Sequence, residues 1–195
     1  HQRQILHYFW QNTMKENTER RISRFSAGVM KMVTENKKKC VFAGTFDPPT
    51  LGHKALIEDC LRLFDEVVVA IMVNPKKQPA FLVEERKQML ELITKNDPRV
   101  RIVSFTGTVA ELLKAENTKF YVRGIRNGTD LDFENANFYA TKKLYKDIIA
   151  IYLPCPQELL HVSSSMVRNS LKFQTPIEEY VSKEVREYIE ERKRG

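Results

Sequence analysis

Residues 66–73, EVVVAIMV, constrain the fold more than any other stretch of this sequence. The run is β-branched and apolar on both faces, which is typical of a central strand in a parallel sheet covered by helices on both sides. Shorter apolar runs at residues 40–43, 100–105, 120–122 and 147–153 alternate with helical patterns along the chain. We therefore predict an α/β fold built on a doubly wound, five-stranded parallel sheet.

Amphipathic helices are predicted between these strands, because apolar residues recur there every three or four positions. The predicted helices cover residues 82–93, 109–115, 130–145 and 176–195, with further helices beginning near His53 and at Met166. Asp130, Asp132 and Glu134 open one of them, and a favourable interaction with the helix dipole is enough to explain all three.

The segment CVFAGTFDPPTLGH, residues 40–53, is the strongest functional signal. Gly44 stops the first apolar run, and a proline-broken loop leads to His53 near a helix start. The first amides of a helix lack internal partners, and its dipole favours negative charge, so this geometry predicts an anion site. Thr45 offers this anion site a hydroxyl, and His53 offers it an imidazole. An isolated histidine is more often structural, but ten consecutive positions, GTFDPPTLGH, favour a functional one.

Polar segments follow other predicted strands as well. Prolines bracket Lys76 and Lys77 in residues 74–79, which favours a fixed loop, although single lysines are usually only solvated. The fourth strand leads into RGIRNG, residues 123–128, where arginines suit phosphate and a glycine permits close backbone approach. Three serines at residues 163–165 open a helix and offer caps or oxyanion donors. Together these segments predict a triphosphate site at one edge of the sheet.

The composition limits the classes of partner that this chain is expected to bind. At 195 residues the chain has room for one domain with a core and an appendage. Residues 1–39 carry nine Lys and Arg against three Glu, so they hold +6 of the formal charge of +7 and leave residues 40–195 nearly neutral. A broad basic face for nucleic acid is not supported. We see no membrane-spanning stretch or signal peptide, and three scattered cysteines favour a reducing cytoplasm over a disulfide framework or a metal site.

Residues 1–39 are predicted to form a helical or flexible extension in front of a domain at residues 40–195. They mix aromatic and basic residues, and Met30 or Met32 is a candidate natural start. Three interpretations stay open: a segment that docks on the domain or a neighbour, a basic binding tail, or sequence without a function, natural or introduced by cloning. The second ranks lowest, because a basic run is usually just solvated.

Four segments in order resemble bacterial phosphopantetheine adenylyltransferase, a family of the nucleotidyltransferase superfamily: GTFDPPTLGH, NPKKQPAF, YVRGIRNGTDLDFE and HVSSSMVR. The first, with its T-x-G-H element, and the last are shared across the superfamily, and the middle two are more specific. The resemblance covers residues 40–190 and implies a Rossmann-like nucleotidyltransferase fold. It implies that MgATP and 4′-phosphopantetheine give dephospho-coenzyme A and pyrophosphate, by in-line attack without a covalent enzyme intermediate.

The resemblance also implies roles for individual residues. Thr45, His53, Lys77 and Arg123 are implied to be catalytic, with His53 stabilising the transition state. Phosphopantetheine is implied to bind Thr45, Lys77, Val109 and Arg123. The implied ATP contacts are Thr45, Phe46, His53, Gly124, Ile125, Arg126, Glu134, Leu159, Leu160, His161, Val162, Ser163, Ser164 and Ser165. No side chain is assigned to a metal, and Mg²⁺ is expected to come with the phosphates of ATP.

A cytoplasmic homohexamer under feedback inhibition by coenzyme A is a further implication of the resemblance. Three positions depart from the commoner pattern. Gln78 replaces the second lysine of a usual pair, Phe133 lacks a tyrosine hydroxyl, and His161 occupies a usually aromatic position where it stacks on adenine or simply packs. These departures are expected to affect the affinity for the substrates and not the presence of the adenylyltransferase activity.

Other interpretations were weighed against this one. Nicotinamide mononucleotide adenylyltransferase shares the first and last motifs, but the segment RGIRNGTDLDFE argues against it. A cytidylyltransferase is expected to show a final motif closer to R-T-x-G-I-S-T-T. A nonenzymatic relic, with an N-terminus that binds RNA or membrane, is disfavoured because Thr45, His53, Lys77, Arg123 and the serines are intact.

Overall fold

The computed structural model describes residues 19–20, 23–24 and 37–194 of the chain. The interpretations of residues 1–39 therefore lie almost entirely outside the described residues. Within that segment, residues 19–20 and 23–24 are helical and exposed.

Five parallel strands form one sheet in the order β3-β2-β1-β4-β5. They are β1 (Lys39–Gly44), β2 (Glu66–Met72), β3 (Val100–Phe105), β4 (Phe120–Ile125) and β5 (Ile149–Pro154). This confirms the doubly wound parallel sheet. The strand order reverses at β1, which has β2 on one side and β4 on the other. Ligands of such sheets bind beyond the carboxyl ends of the strands at this switch point.

Six α-helices follow β1 in the chain and cover the two faces of the sheet. They are α1 (Leu51–Leu63), α2 (Val83–Thr94), α3 (Val109–Ala115), α4 (Gly128–Leu144), α5 (Ser164–Lys172) and α6 (Lys183–Arg194), and a 3₁₀ turn at Gln157–Leu159 precedes α5. Among the described residues, no helix has the length and apolar character needed to cross a membrane.

Some boundaries differ from the predicted ones for identifiable reasons. β4 continues to Ile125, because its ladder with β5 extends that far, so Arg123 and Gly124 lie inside the strand and not after it. The helix expected from residue 176 begins only at Lys183. α5 begins at Ser164 because the Ser163 side chain caps it.

Alternating strand residues face two separate hydrophobic cores. Phe42 and Val69 belong to the larger core, which α1, α2, α5 and α6 cover, while Val41 and Val68 belong to the smaller core beneath α3. β2 is buried along its middle on both faces, as its sequence predicts. Both faces of the sheet are therefore covered, and its carboxyl edge is the place where ligands of such folds bind.

Gly124 allows α1 to pack closely on β4. A Cβ atom at this position would lie 2.2 Å from Cδ1 and 3.3 Å from Cγ of Leu56, a core residue that is only 4% exposed. Leu56 lies in α1 three residues after His53. The absence of a side chain at Gly124 thus helps to set the position of the helix that carries His53.

We expect Gly124→Ala to lower the free energy of unfolding by about 1–3 kcal/mol, because the added methyl overpacks a filled core. Urea denaturation measures the change. Gly128→Ala is the matched control, since no described atom lies within 4 Å of a Cβ built there. The control should be neutral or slightly stabilising. Equal effects of the two substitutions would contradict the close approach of Leu56.

Candidate active site

A cleft of about 330 Å³ opens at the carboxyl ends of β1 and β4. Ten of the predicted site residues line it: Thr45, Phe46, His53, Arg123, Gly124, Arg126, Glu134, Val162, Ser163 and Ser164. A larger cavity of about 740 Å³ lies between α1 and the loop at residues 95–99, and its lining includes none of the predicted site residues. The sheet topology therefore brings segments from four parts of the chain to one place.

Other predicted site residues lie outside the lining of this cleft in the described part of the chain. Lys77 is exposed in the loop at residues 73–82, and Val109 packs on the smaller core. His161 is exposed, with its ring 6.1 Å from that of Tyr180. Those outside the lining are Lys77, Val109, Ile125, Leu159, Leu160, His161 and Ser165. Their assigned contacts stay predictions.

Asp47 ties the loop after β1 to the loop that carries Lys77. Its two carboxylate oxygens accept hydrogen bonds from the backbone N–H groups of Ala80 and Phe81, each at 2.9 Å. The Asp47–Pro48 peptide bond is cis. Asp47 is buried and has both oxygens occupied, so it fixes the relative position of the two loops.

Two arginines hold the backbone of the same loop from outside the cleft. Arg86 donates from Nη1 to the carbonyl oxygen of Thr45 at 2.8 Å, and Arg168 donates from Nη1 to that of Asp47 at 2.7 Å. Arg86 is only 4% exposed, and burial lowers the pKa of its guanidinium. Arg86 was not among the predicted site residues. Its position on the apolar face of the α2 pattern was the available signal.

The serines at the start of α5 all have partners within the protein. Ser163 caps the helix by accepting from the N–H of Met166 at 3.2 Å. The Ser164 hydroxyl donates to the carbonyl oxygen of Pro48 at 2.8 Å, and Ser165 accepts from Arg168. The start of α5 is therefore joined to the loop after β1.

Phe46 holds the ring of His53 in place. It adopts a φ of 49°, a left-handed conformation that is strained for a bulky residue. Its buried ring packs edge-on at 4.9 Å from the His53 ring. A Cβ at Gly44 would come within 3.1 Å of the Phe46 ring, so the glycine that ends β1 leaves room for this packing.

His53 forms a capping box with Thr50 at the start of α1. The Thr50 backbone N–H donates to Nδ1 of His53 at 3.0 Å, and the Thr50 hydroxyl lies 3.0 Å from the same nitrogen. The His53 side chain thus takes the role that Glu or Gln usually plays in this motif. Because Nδ1 accepts from a backbone amide, the ring proton resides on Nε2.

The surroundings of His53 keep its ring neutral. Burial lowers its pKa from the ordinary 6.5 to about 4, and the positive charges of Arg123 and Arg126 contribute. At neutral pH the residue therefore offers an uncharged Nε2–H donor to the cleft. Such a donor stabilises an oxyanion without passing its proton to it.

Both arginines of the RGIRNG segment form ion pairs with carboxylates of α4. Arg123 donates from Nη1 to the Ala43 carbonyl and from Nη2 to Glu134, which is only 6% exposed. Arg126 donates two hydrogen bonds to the carboxylate of Asp130, from Nε at 2.9 Å and from Nη2 at 3.2 Å. The interpretation that the helix dipole alone explains these acidic residues was therefore wrong for Asp130 and Glu134. Asn127, whose side chain accepts from the Asp130 N–H, caps the helix instead.

The chemistry of the cleft suits a polyanion. Its donors are guanidinium groups, hydroxyls and the Nε2–H of His53. No group of three or more His, Cys, Asp or Glu that could hold a metal ion occurs in the described ranges.

Comparison with known proteins places the chain in a family. Residues 41–170 match the cytidylyltransferase-like family model. The chain is 40% identical to a phosphopantetheine adenylyltransferase of Thermotoga neapolitana over 145 residues, which is 74% of this chain and 90% of the relative. It is 35% identical to that of Natranaerobius thermophilus over 156 residues, which is 80% of this chain and 96% of the relative.

Solved structures share the fold at lower sequence identity. A putative nicotinate-nucleotide adenylyltransferase from Vibrio parahaemolyticus superposes with a TM-score of 0.59 at 23% identity, covering 78% of this chain and 91% of that one. Plasmodium falciparum nicotinic acid mononucleotide adenylyltransferase gives 0.61 at 17% identity, covering 81% and 96%. Likeness at this level shows a common fold only.

The lowered pKa of His53 makes stability depend on pH. The unfolded chain binds a proton at His53 near pH 6.5, but the folded protein binds it only near pH 4, so acidification across this range favours unfolding. We expect His53→Gln to lose this part of the acid destabilisation, whereas a variant of the exposed His161, His161→Gln, keeps it. Urea denaturation at several pH values measures the difference. Identical pH profiles for wild type and His53→Gln would contradict the lowered pKa.

Proposed function

Because the chain belongs to the phosphopantetheine adenylyltransferase family, we propose that it transfers the adenylyl group of ATP to 4′-phosphopantetheine. A phosphate oxygen of the acceptor forms a bond to the α-phosphorus, and the bond to the β-phosphate bridge breaks. Pyrophosphate leaves with the electron pair, and dephospho-coenzyme A remains, so the reaction is a step of coenzyme A biosynthesis. The observation that carries the proposal is the neutral His53 donor in an arginine-lined cleft at the switch point of the sheet.

His53 acts on the α-phosphate by hydrogen bonding. Negative charge on the non-bridging oxygens is redistributed as the acceptor approaches and pyrophosphate departs, and a fixed Nε2–H donor stabilises that state. The hydroxyl of Thr45, at the end of β1, adds a second donor. Neither residue forms a bond to phosphorus, so catalysis consists of positioning and charge stabilisation.

Arg123 and Lys77 hold the phosphate of the acceptor in this proposal. Arg123 lines the cleft, and the loop that carries Lys77 is joined through Asp47 to the loop after β1. Met72, Phe105 and Val109 lie at the same edge of the sheet, partly buried against the smaller core. These apolar side chains suit the uncharged pantetheine arm.

ATP occupies the part of the cleft beside the acceptor phosphate, since Glu134 is paired with Arg123. Phe46, Gly124, Ile125, Arg126 and Glu134 surround the nucleotide, and residues 159–165 close over it. The serines at the start of α5 cradle the β- and γ-phosphates, because amides at a helix N-terminus attract anions. The position of Ser163 and Ser164 in the cleft lining supports this arrangement.

Mg²⁺ enters this proposal bound to the phosphates of ATP. The two carboxylates that line the cleft, Glu134 and Asp130, are paired with Arg123 and Arg126, so the residues fit a metal that the nucleotide carries. When bound, the ion neutralises part of the polyphosphate charge. Arg126 would then orient ATP phosphates whose charge is already reduced.

The proposal extends to assembly and regulation. Exposed Tyr139 and Leu144 on α4 are apolar surface that a subunit interface of a homohexamer would cover. Coenzyme A contains the whole of the product dephospho-coenzyme A, so it fits the same cleft as a feedback inhibitor.

All three cysteines are free, which supports a reducing, cytoplasmic compartment.

Pyrophosphate release from MgATP tests the activity, with 4′-phosphopantetheine and nicotinamide mononucleotide as parallel acceptors. We expect turnover with phosphopantetheine only. The kcat of a His53→Ala variant prepared in the same way should be roughly 10²–10³-fold lower than that of the wild type. This loss would show that the pyrophosphate is released by this protein and not by a contaminant. Turnover with the mononucleotide alone, or with neither acceptor, would contradict the proposal.

Lys77→Ala should raise the KM for 4′-phosphopantetheine by roughly 10- to 100-fold, because it removes a charged hydrogen bond to the acceptor phosphate. The KM for ATP should change by less than about twofold. Lys76→Ala is the matched control, since both lysines are exposed in the same loop. Steady-state kinetics with each substrate varied in turn measure the two KM values. The same loss from both variants, or an effect on ATP alone, would remove Lys77 from its role.

A further inference from the structure

Two hydrogen-bond donors beside the cleft lack an acceptor. In the described part of the chain, neither Nε of Arg123 nor the hydroxyl of Tyr152 has a hydrogen-bond partner, although both atoms are buried. Arg123 and Tyr152 are directly paired in the β4–β5 ladder, so their side chains lie on the same face of the sheet. A buried donor without a partner destabilises the folded protein, so the Tyr152 hydroxyl needs an explanation.

The surroundings of Tyr152 keep its hydroxyl protonated. Burial raises the pKa of this hydroxyl, and the nearby charge of Glu134 raises it further. Tyr139 and Arg123 also lie within electrostatic range. Tyr152 is therefore a hydrogen-bond donor close to a buried carboxylate that already accepts from another residue.

Arg123 already has two partners at its Nη atoms. In the ligand-free protein Nη1 donates to the Ala43 carbonyl and Nη2 donates to Glu134. Binding of the acceptor phosphate requires guanidinium donors to turn towards it. Glu134 would then be a buried carboxylate that has lost a charged partner, which is unfavourable.

We infer that Tyr152 is a positioning residue whose hydroxyl donates to Glu134 when Arg123 turns to the acceptor phosphate. This inference rests on the proposed function, because it assumes that Arg123 binds that phosphate. The exchange keeps the Glu134 carboxylate hydrogen-bonded in both states. It also gives a partner to a buried hydroxyl that otherwise has none.

Neighbouring tyrosines fit this role less well. The Tyr121 ring stacks near the guanidinium of Arg123, at 6.0 Å, and its hydroxyl is not among the buried atoms without a partner. Tyr139 is exposed on α4. Tyr152 alone of the three combines a buried, unpartnered hydroxyl with a paired position beside Arg123.

Tyr152→Phe tests the inference because it removes one oxygen atom and keeps the ring. We expect the free energy of unfolding of the ligand-free protein to stay the same or rise, since an unpartnered hydroxyl is lost. The KM for 4′-phosphopantetheine should rise about tenfold, with kcat and the KM for ATP changed less than about threefold. Urea denaturation and steady-state kinetics give the two readouts.

The matched control is Tyr188→Phe. In the wild-type protein the Tyr188 hydroxyl donates to Oε1 of Gln88 at 2.7 Å on the surface. That variant should show the opposite pattern, with a small loss of stability and unchanged kinetics. In a Glu134→Gln background the effect of Tyr152→Phe should shrink, because the carboxylate to be stabilised is absent.

The outcomes separate the two proposals. Wild-type KM values in Tyr152→Phe, or an undiminished effect in the Glu134→Gln background, would overturn the role of Tyr152 and leave the proposed function intact. A wild-type protein that neither binds nor turns over phosphopantetheine would overturn both.

Discussion

The hydrogen bond from the Thr50 backbone N–H to Nδ1 of His53 determines what the cleft can do. It caps α1, and it fixes the ring proton on Nε2. Phe46 packs against the ring from the side, and the close approach of Leu56 to Gly124 holds the helix on β4. The result is a neutral donor at a defined position above the switch point of the sheet, where substrates of such folds bind.

Charge in the cleft is balanced before any ligand binds. Arg123 pairs with Glu134 and Arg126 with Asp130, so neither guanidinium is an isolated cation. These pairs orient the arginines, but they also compete with phosphate for the same donors. Binding of a polyphosphate must therefore rearrange hydrogen bonds, and nearby groups such as Tyr152 determine how favourable that rearrangement is.

Sequence patterns predicted the parts of the structure that depend on local order. The apolar run of β2 predicted a buried parallel strand, and the segment from Gly44 to His53 predicted a strand, a loop and a helix start. The contacts of Asp47 and Arg86 were not predictable, because they join residues 33 to 41 positions apart through the folded loops. Glu134 was misinterpreted because its place near a helix start concealed its contact with Arg123 on the sheet.

The tautomer and charge of His53 test the central claim most directly, through nitrogen NMR of protein labelled at its four histidines. A His53→Gln variant identifies the signal. Our account predicts that Nδ1 is unprotonated, that Nε2 carries the proton, and that the signal does not titrate between about pH 8 and pH 5.5. A proton on Nδ1 at neutral pH, or a titration near the ordinary value of 6.5, would contradict it.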